Sequence, residues 1–204
     1  NQLGNTINTP NNTFSFNNLS LTLAEGDNYF WLVYDISSAA TLGNLVDGEY
    51  LHATDSQGNQ YSPAINAPSG SMKISGPMAF DNATAYHQGQ DVYLDSLNNP
   101  ILRIEVNTTG AQNPLDATDF VFNTSNSTNP TSDITQAKLF YTGSFTTFNT
   151  NQQIGSAVSN PNGNFSFQSS VQLDAGKNVF WLTYDIASNA TPGNVVDALA
   201  ESIT

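Results

Sequence analysis

The sequence predicts an all-β protein: immunoglobulin-like β-sandwich modules in tandem, with a jelly roll as the alternative order of the same strands. Three observations carry this reading. Apolar residues recur with a period of two rather than 3.6, turn-forming residues punctuate these runs at short intervals, and one long stretch occurs twice.

The duplicated stretch begins Gly26-Asp-Asn-Tyr-Phe-Trp-Leu-Val-Tyr-Asp-Ile36 and returns as Gly176-Lys-Asn-Val-Phe-Trp-Leu-Thr-Tyr-Asp-Ile186. Over 26–47 and 176–197, 15 of 22 positions are identical at an offset of 150. Gln2-Leu-Gly4 matches Gln153-Ile-Gly155 and Phe14-Ser-Phe16 matches Phe165-Ser-Phe167 at an offset of 151, so the first copy carries one extra residue near 17–20. A repeat this long is a whole domain, since solenoid units run about 20–50 residues. Nothing in the sequence before Asn1 corresponds to 77–151, and Thr204 matches Thr54 partway through a copy. The expected organisation is therefore a window on a longer array: residues 1–76 as the C-terminal part of one repeat and 77–204 as a second, nearly complete one. The boundary falls between Ala67-Pro-Ser-Gly-Ser71 and Gly76-Pro77, short enough for semi-rigid beads.

In order along the chain, Phe30, Leu32, Tyr34 and Ile36 alternate with Trp31, Val33 and Asp35, which predicts a half-buried strand. Residues 90–94 form a second candidate. Leu102, Ile104 and Val106 form a third, with Arg103 and Glu105 sharing the opposite face as a possible ion pair. Residues 119–123 follow, then a short helical turn opening at Thr131-Ser-Asp133 and ending before Lys138. Further strands are expected over 137–142, 164–173, 180–186 and 194–204. Asn98-Asn-Pro100, Asn129-Pro130, Asn160-Pro-Asn-Gly163 and Ala175-Gly176 separate them. Pro192-Gly193 suits a type II turn, where Pro sets the first corner and Gly supplies positive φ. About seven strands in about 125 residues favour the immunoglobulin-like sandwich, but strand order is invisible in a sequence.

Composition narrows the function. Four basic residues stand against 17 acidic ones, a net charge of −13. Nucleic-acid binding requires Lys and Arg to displace phosphate counterions, and attraction to anionic membranes needs the same residues; both are excluded as partners. Charged residues make up only 10%, so Asn, Thr, Ser and Gln must carry the surface, as in extracellular modules. There is no cysteine, hence no disulfide framework or thiolate metal site. No apolar run approaches the roughly 18–20 residues that span a bilayer, so no membrane insertion is expected. No signal peptide is visible either.

Chemical candidates are few. Only Asp35/Asp185 and Asp47/Asp197 recur as acidic positions in both copies after Gly26. Two carboxylates about 5–9 Å apart serve glycosidases, and oxygen ligands suit Ca²⁺. The plainer expectation is that they accept hydrogen bonds and fix the Thr-x-Gly-Asn turn. Asp116 and Asp119 are a further pair of Ca²⁺ donors, without the dense spacing of a loop site; no other cofactor is expected. Trp31 and Trp181 are candidates for stacking on sugar rings, with packing in the core or an interface as the commoner use of such a residue. With two histidines, His52 (replaced by Ser202) and His87, and no cysteine, nucleophilic catalysis has no foothold. The chain is expected not to be an enzyme. Asn-x-Ser/Thr sequons abound (Asn11, Asn18, Asn82, Asn107, Asn123, Asn126, Asn164, Asn189), as chance dictates in so polar a chain.

The repeated Gly-x-Asn-x-Phe-Trp-Leu-x-Tyr-Asp-Ile and Ala-Thr-x-Gly-Asn-x-Val-Asp segments resemble the domain at the N-terminus of bacterial BNR-repeat neuraminidases. The likeness extends through Ile101–Val106, Ala137–Gly143 and Gln153-Ile-Gly155. Similar domains recur in tandem in large surface proteins of Bacteroidetes, so the resemblance implies a non-catalytic β-sandwich exported to the cell surface by the type IX route. It also implies that Asp95-Ser96-Leu97 is an O-glycosylation motif at Ser96. The neuraminidase site itself, with its arginine cluster and Asp-box turns, has no counterpart here: Arg103 is the only arginine. The resulting expectation is a structural or adhesive module of a long, repetitive, filamentous extracellular protein. Its partners would be neighbouring repeats or like subunits exchanging strands, and surface glycans. The alternative is an accessory, glycan-binding domain beside a secreted glycoside hydrolase such as a sialidase.

Overall fold

Alternation governs the C-terminal two-thirds of the chain. Phe180, Leu182, Tyr184 and Ile186 turn to one side of a ten-residue strand and are buried there against Phe120, Phe122, Phe165 and Phe167 from a second sheet. The computed structural model describes residues 2–204, and the chain divides into a first unit ending at Ala40 and a second, Thr41–Thr204.

The second unit begins with four two-residue strands: β1 (Leu45–Val46), β2 (Ala53–Thr54), β3 (Gln60–Tyr61) and β4 (Met72–Lys73). β1 pairs with β4, and β2 with β3. The sandwich follows in β5 (Ala79–His87), β6 (Asn99–Thr109), β7 (Asp116–Asn123), the single turn α1 (Pro130–Asp133), β8 (Ile134–Tyr141), β9 (Gln153–Ser159), β10 (Asn164–Gln172), β11 (Lys177–Ile186) and β12 (Leu199–Ile203). One sheet runs β5-β6-β11-β8-β9 and the other β10-β7-β12, with every pairing antiparallel. The two are locked by aromatic contacts such as Phe120 on Phe180, centroids 4.8 Å apart, and Phe165 on Tyr184 at 6.4 Å. Each such ring withdraws enough apolar surface from water to contribute about 2–3 kcal/mol.

The all-β sandwich is thus as the periodicity predicts, and the strand order selects between the two arrangements the sequence left open. An immunoglobulin order sets the second strand beside the fifth. Here the second, β6, lies beside the seventh, β11, and the chain crosses repeatedly between sheets, the habit of a jelly roll. β5 departs from that habit by pairing with β6, which leaves a groove of about 290 Å³ between β5 and β12, lined by Phe80, Ala83, Ile104, Ala200 and Ile203.

Several element boundaries differ from expectation. Residues 90–94 form no strand: Tyr93 and Leu94 face solvent, and the Ser96 hydroxyl folds back onto the Tyr93 carbonyl to close a turn. β5 and β9 were not visible as strands because their exposed positions blur the alternation. β12 starts at Leu199 rather than 194, since 191–194 is spent on a turn. Helix α1 stops at Asp133, where β8 takes over the chain. The copy boundary at 76/77 falls inside the second unit, where Ala111 and Gln112 donate to the Gly76 carbonyl, both at 3.0 Å, as the chain enters β5.

In the first unit, residues 2–40 carry the same local turns as the second copy but no strand. Asn28 bridges the Ala24 amide and carbonyl at 3.0 and 2.9 Å, as Asn178 bridges those of Asp174 at 2.8 and 2.9 Å. Gly26 and Gly176 share φ +91. Yet Phe30 is 58% exposed where Phe180 is fully buried. The 204 residues hold one copy each of β6 and β8, both of which pair with β11. Among the described residues no strand flanks 29–36.

Candidate functional site

The outer face of an antiparallel sheet is usually solvated. In β11 it is not: Val179, Trp181, Thr183 and Asp185, alternating with the core residues, are all buried. Two loops cover them. The 142–152 loop drops Phe148 onto Phe140 and Trp181, centroids 5.7 and 5.5 Å away, and Trp181 Nε1 donates to Thr142 Oγ1 at 3.1 Å. The 88–98 loop is tied to the far end of β11, with Ile186 N donating to the Ser96 carbonyl at 2.9 Å and Asn99 Nδ2 to the Tyr184 carbonyl at 3.0 Å.

Beneath that second loop lies a shielded polar cluster. Lys138 Nζ stands 2.6 Å from Asp185 Oδ2 and donates to Asn98 Oδ1 at 3.1 Å, while Asp185 Oδ1 accepts the Asn98 backbone N–H at 2.8 Å. The side chains of Lys138 and Asp185 are 15% and 5% exposed. Desolvating two charges is costly, and the mutual attraction offsets that cost only when the remaining polar atoms are also satisfied. Asn98 supplies both missing contacts. Nearby on the sheet, Arg103 Nε is 3.2 Å from Glu105 Oε1, an ion-pair distance without hydrogen-bond alignment, and its guanidinium lies 4.5 Å from the Tyr86 ring centroid.

The repeated acidic residues do not hold the Thr-x-Gly-Asn turn, contrary to the sequence expectation. Asp185 serves Lys138 and the 88–98 loop. Asp197 Oδ1 accepts the Ala198 N–H at 2.7 Å and lies 3.0 Å from His87 Nδ1. The turn is held by Asp133, buried at the end of α1, whose carboxylate accepts Thr191 N at 3.0 Å and Asn194 Nδ2 at 2.7 Å. Its only sequence signal was the cluster after Asn129-Pro130, where a short helical turn was expected. Removing the carboxylate strands both donors, so Asp133→Ala is expected to cost about 2–4 kcal/mol in urea unfolding. Asp133→Asn should recover part of it, because one acceptor oxygen survives.

The remaining candidates are scattered. Trp31 is 87% exposed in the first unit, and Trp181 is 3% exposed and presents no face to solvent. Asp116 is exposed; Asp119 has one buried carboxylate oxygen without a protein partner. Among the described residues no group of three or more His, Cys, Asp or Glu gathers as a metal would require. Ser96 is half-buried, its hydroxyl within the Tyr93–Ser96 turn and 3.1 Å from Asn99 Oδ1.

Two buried phenols are perturbed. Burial pushes Tyr141 up to about 12, helped by the Asp174 carboxylate, and burial pushes Tyr184 still higher, helped by Asp197. A raised acid pKa means that the folded state holds its protons longer than the unfolded chain. The stability from neutral phenols is complete below about pH 10, the unfolded value, and is lost as pH rises through the folded one. Stability should therefore fall between pH 10 and 12, and Tyr141→Phe should flatten that slope in denaturant midpoints measured across the range. On the exposed β2–β3 hairpin, hydrogen bonds from Asn59 first, then Gln57 and Tyr61, lower Asp55 to about 2.

Among the described residues no helix is long and apolar enough to cross a membrane. No curated protein matches the chain. The model of the N-terminal domain of BNR-repeat neuraminidase matches residues 81–204, which takes in β6 through β12 and nearly all of β5. That match spans more than half of the 204 residues and coincides with the sandwich, its covered outer face included. The chain belongs to the family of N-terminal domains of BNR-repeat neuraminidases.

Proposed function

We propose that this chain is a non-catalytic module of a secreted or cell-surface protein, placed beside or between other domains and repeated to extend its reach. The observation that carries the reading is the use made of the buried ionisable side chains. Asp133, Lys138 and Asp185 are each spent on holding a loop or turn, and none of them lines the groove between β5 and β12. Family membership favours a protein of the neuraminidase kind as the parent, with hydrolysis carried out by another domain. The duplicated segments favour a spacing or adhesive role, with neighbouring repeats or like subunits as partners. The purified chain should release no fluorophore from an aryl sialoside at any pH between 4 and 8; turnover that survives repurification would overturn the reading.

A glycan-binding version rests on one specific feature. Tyr29 and Trp31, two apart on an extended segment, are 79% and 87% exposed. Adjacent exposed rings of this kind stack on sugars. If they do so here, Trp31→Ala abolishes binding to immobilised sialoglycans while the melting of the sandwich stays unchanged. Equal binding by the variant excludes Trp31 as the platform.

A further inference from the structure

We propose that the buried cluster under the 88–98 loop is an autocatalytic cross-linking site, in which Lys138 and Asn98 condense to an intramolecular amide with Asp185 as the proton carrier. The three side chains have the complementary roles such a reaction needs. Lys138 Nζ is an amine held at hydrogen-bond distance, 3.1 Å, from the carboxamide oxygen of Asn98, the atom bonded to the electrophilic carbon. Asp185 Oδ2 is a base 2.6 Å from the same nitrogen. Its other oxygen holds the Asn98 backbone N–H at 2.8 Å, so nucleophile, electrophile and proton carrier are fixed relative to one another. Asn98 sits at φ +54 in a tight turn, with its backbone already committed. Holding nucleophile and electrophile together in a preorganised site turns a slow bimolecular condensation into an intramolecular one.

The step balances without an outside reagent. Lys138 passes one proton to Asp185, which leaves a lone pair on Nζ to attack Cγ of Asn98. A C–N bond forms, and the adduct transfers a second proton from Nζ through the carboxyl to Nδ2. The Cγ–Nδ2 bond breaks and ammonia departs, taking the remaining proton as ammonium, so Asp185 ends as the carboxylate it began. No atom changes oxidation state. Shielding from water strengthens each of these transfers and protects the attacked carboxamide from hydrolysis. The product would staple the 88–98 loop to β8 across 40 positions of sequence, in a chain without cysteine.

The test is the intact mass of the purified chain, followed by peptide mapping. The expected result is a protein lighter than its sequence by one ammonia, with a branched peptide joining Asn98 and Lys138. Asn98→Ala and Lys138→Arg should both show full mass, and the first keeps the Lys138–Asp185 pair so that its fold can be verified by circular dichroism. A wild-type chain of full mass overturns the proposal and leaves an ordinary buried ion pair. Loss of one water with a Lys138–Asp185 branch overturns the assignment of Asn98. Loss of ammonia without any branched peptide, as from a succinimide, overturns it too.

Discussion

Replacing Trp181 by alanine should destabilise the sandwich by about 3–5 kcal/mol, while the same change at Trp31 should alter stability by no more than about 0.5 kcal/mol. The two residues occupy equivalent places in identical Phe-Trp-Leu segments. Trp181 is buried beneath Phe148 and Thr142, so truncation empties a pocket bounded by β8, β11 and the 142–152 loop and strands the Thr142 contact. Trp31 loses only solvent contacts. Calorimetry on the two variants checks this directly. Equal effects would mean that the first copy also packs its tryptophan in solution.

Gly110→Ala should cost about 3 kcal/mol or more, out of proportion to one methyl group. Gly110 lies just past β6 at φ +73, where an L side chain already costs about 1–2 kcal/mol. A Cβ built there would stand 2.1 Å from the Pro77 carbonyl oxygen and 2.8 Å from that of Gly76. Both are backbone atoms and cannot swing aside. The close approach serves the start of β5: Ala111 and Gln112 bond the Gly76 carbonyl, and Met78 N donates to Gln112 O at 2.6 Å. The methyl must push this knot apart or unseat β5 from the sheet edge. Hydrogen exchange should then show β5 losing protection first, with β11 and β8 holding theirs; protection lost evenly across the sheet would contradict this local account.

Position by position, the core was readable wherever one face of a strand is apolar and the other polar. Leu102, Ile104 and Val106 share one face and Arg103 with Glu105 the other, as their alternation predicts, because alternation is a local property of the chain. β5 escaped notice because an edge strand exposed at every position shows no alternation. Residues 90–94 misled for the opposite reason: their pattern suits a strand, but the Ser96 turn and the ties of 96–99 to β11 decide the path. Asp133 and the Lys138–Asn98–Asp185 cluster are illegible as sites, since their members lie 40 to 87 positions apart and meet only through pairing.

The duplicated segment separates the two kinds of determination. By itself the sequence fixes the local turns. Gly26 and Gly176 at φ +91, Gly43 and Gly193 at φ +90, and the Asn28 and Asn178 bridges recur because the backbone and Asn side-chain bonds that shape them join residues at most four apart, Asp133 bracing the Thr191 turn from outside. It does not fix the strand. Residues 177–186 are the centre of a sheet and 29–36 are not, although both read Phe-Trp-Leu-x-Tyr-Asp-Ile. A strand satisfies its backbone polar groups and buries its faces only on neighbours brought in from elsewhere; among the described residues β6 and β8 flank β11, and no strand flanks 29–36.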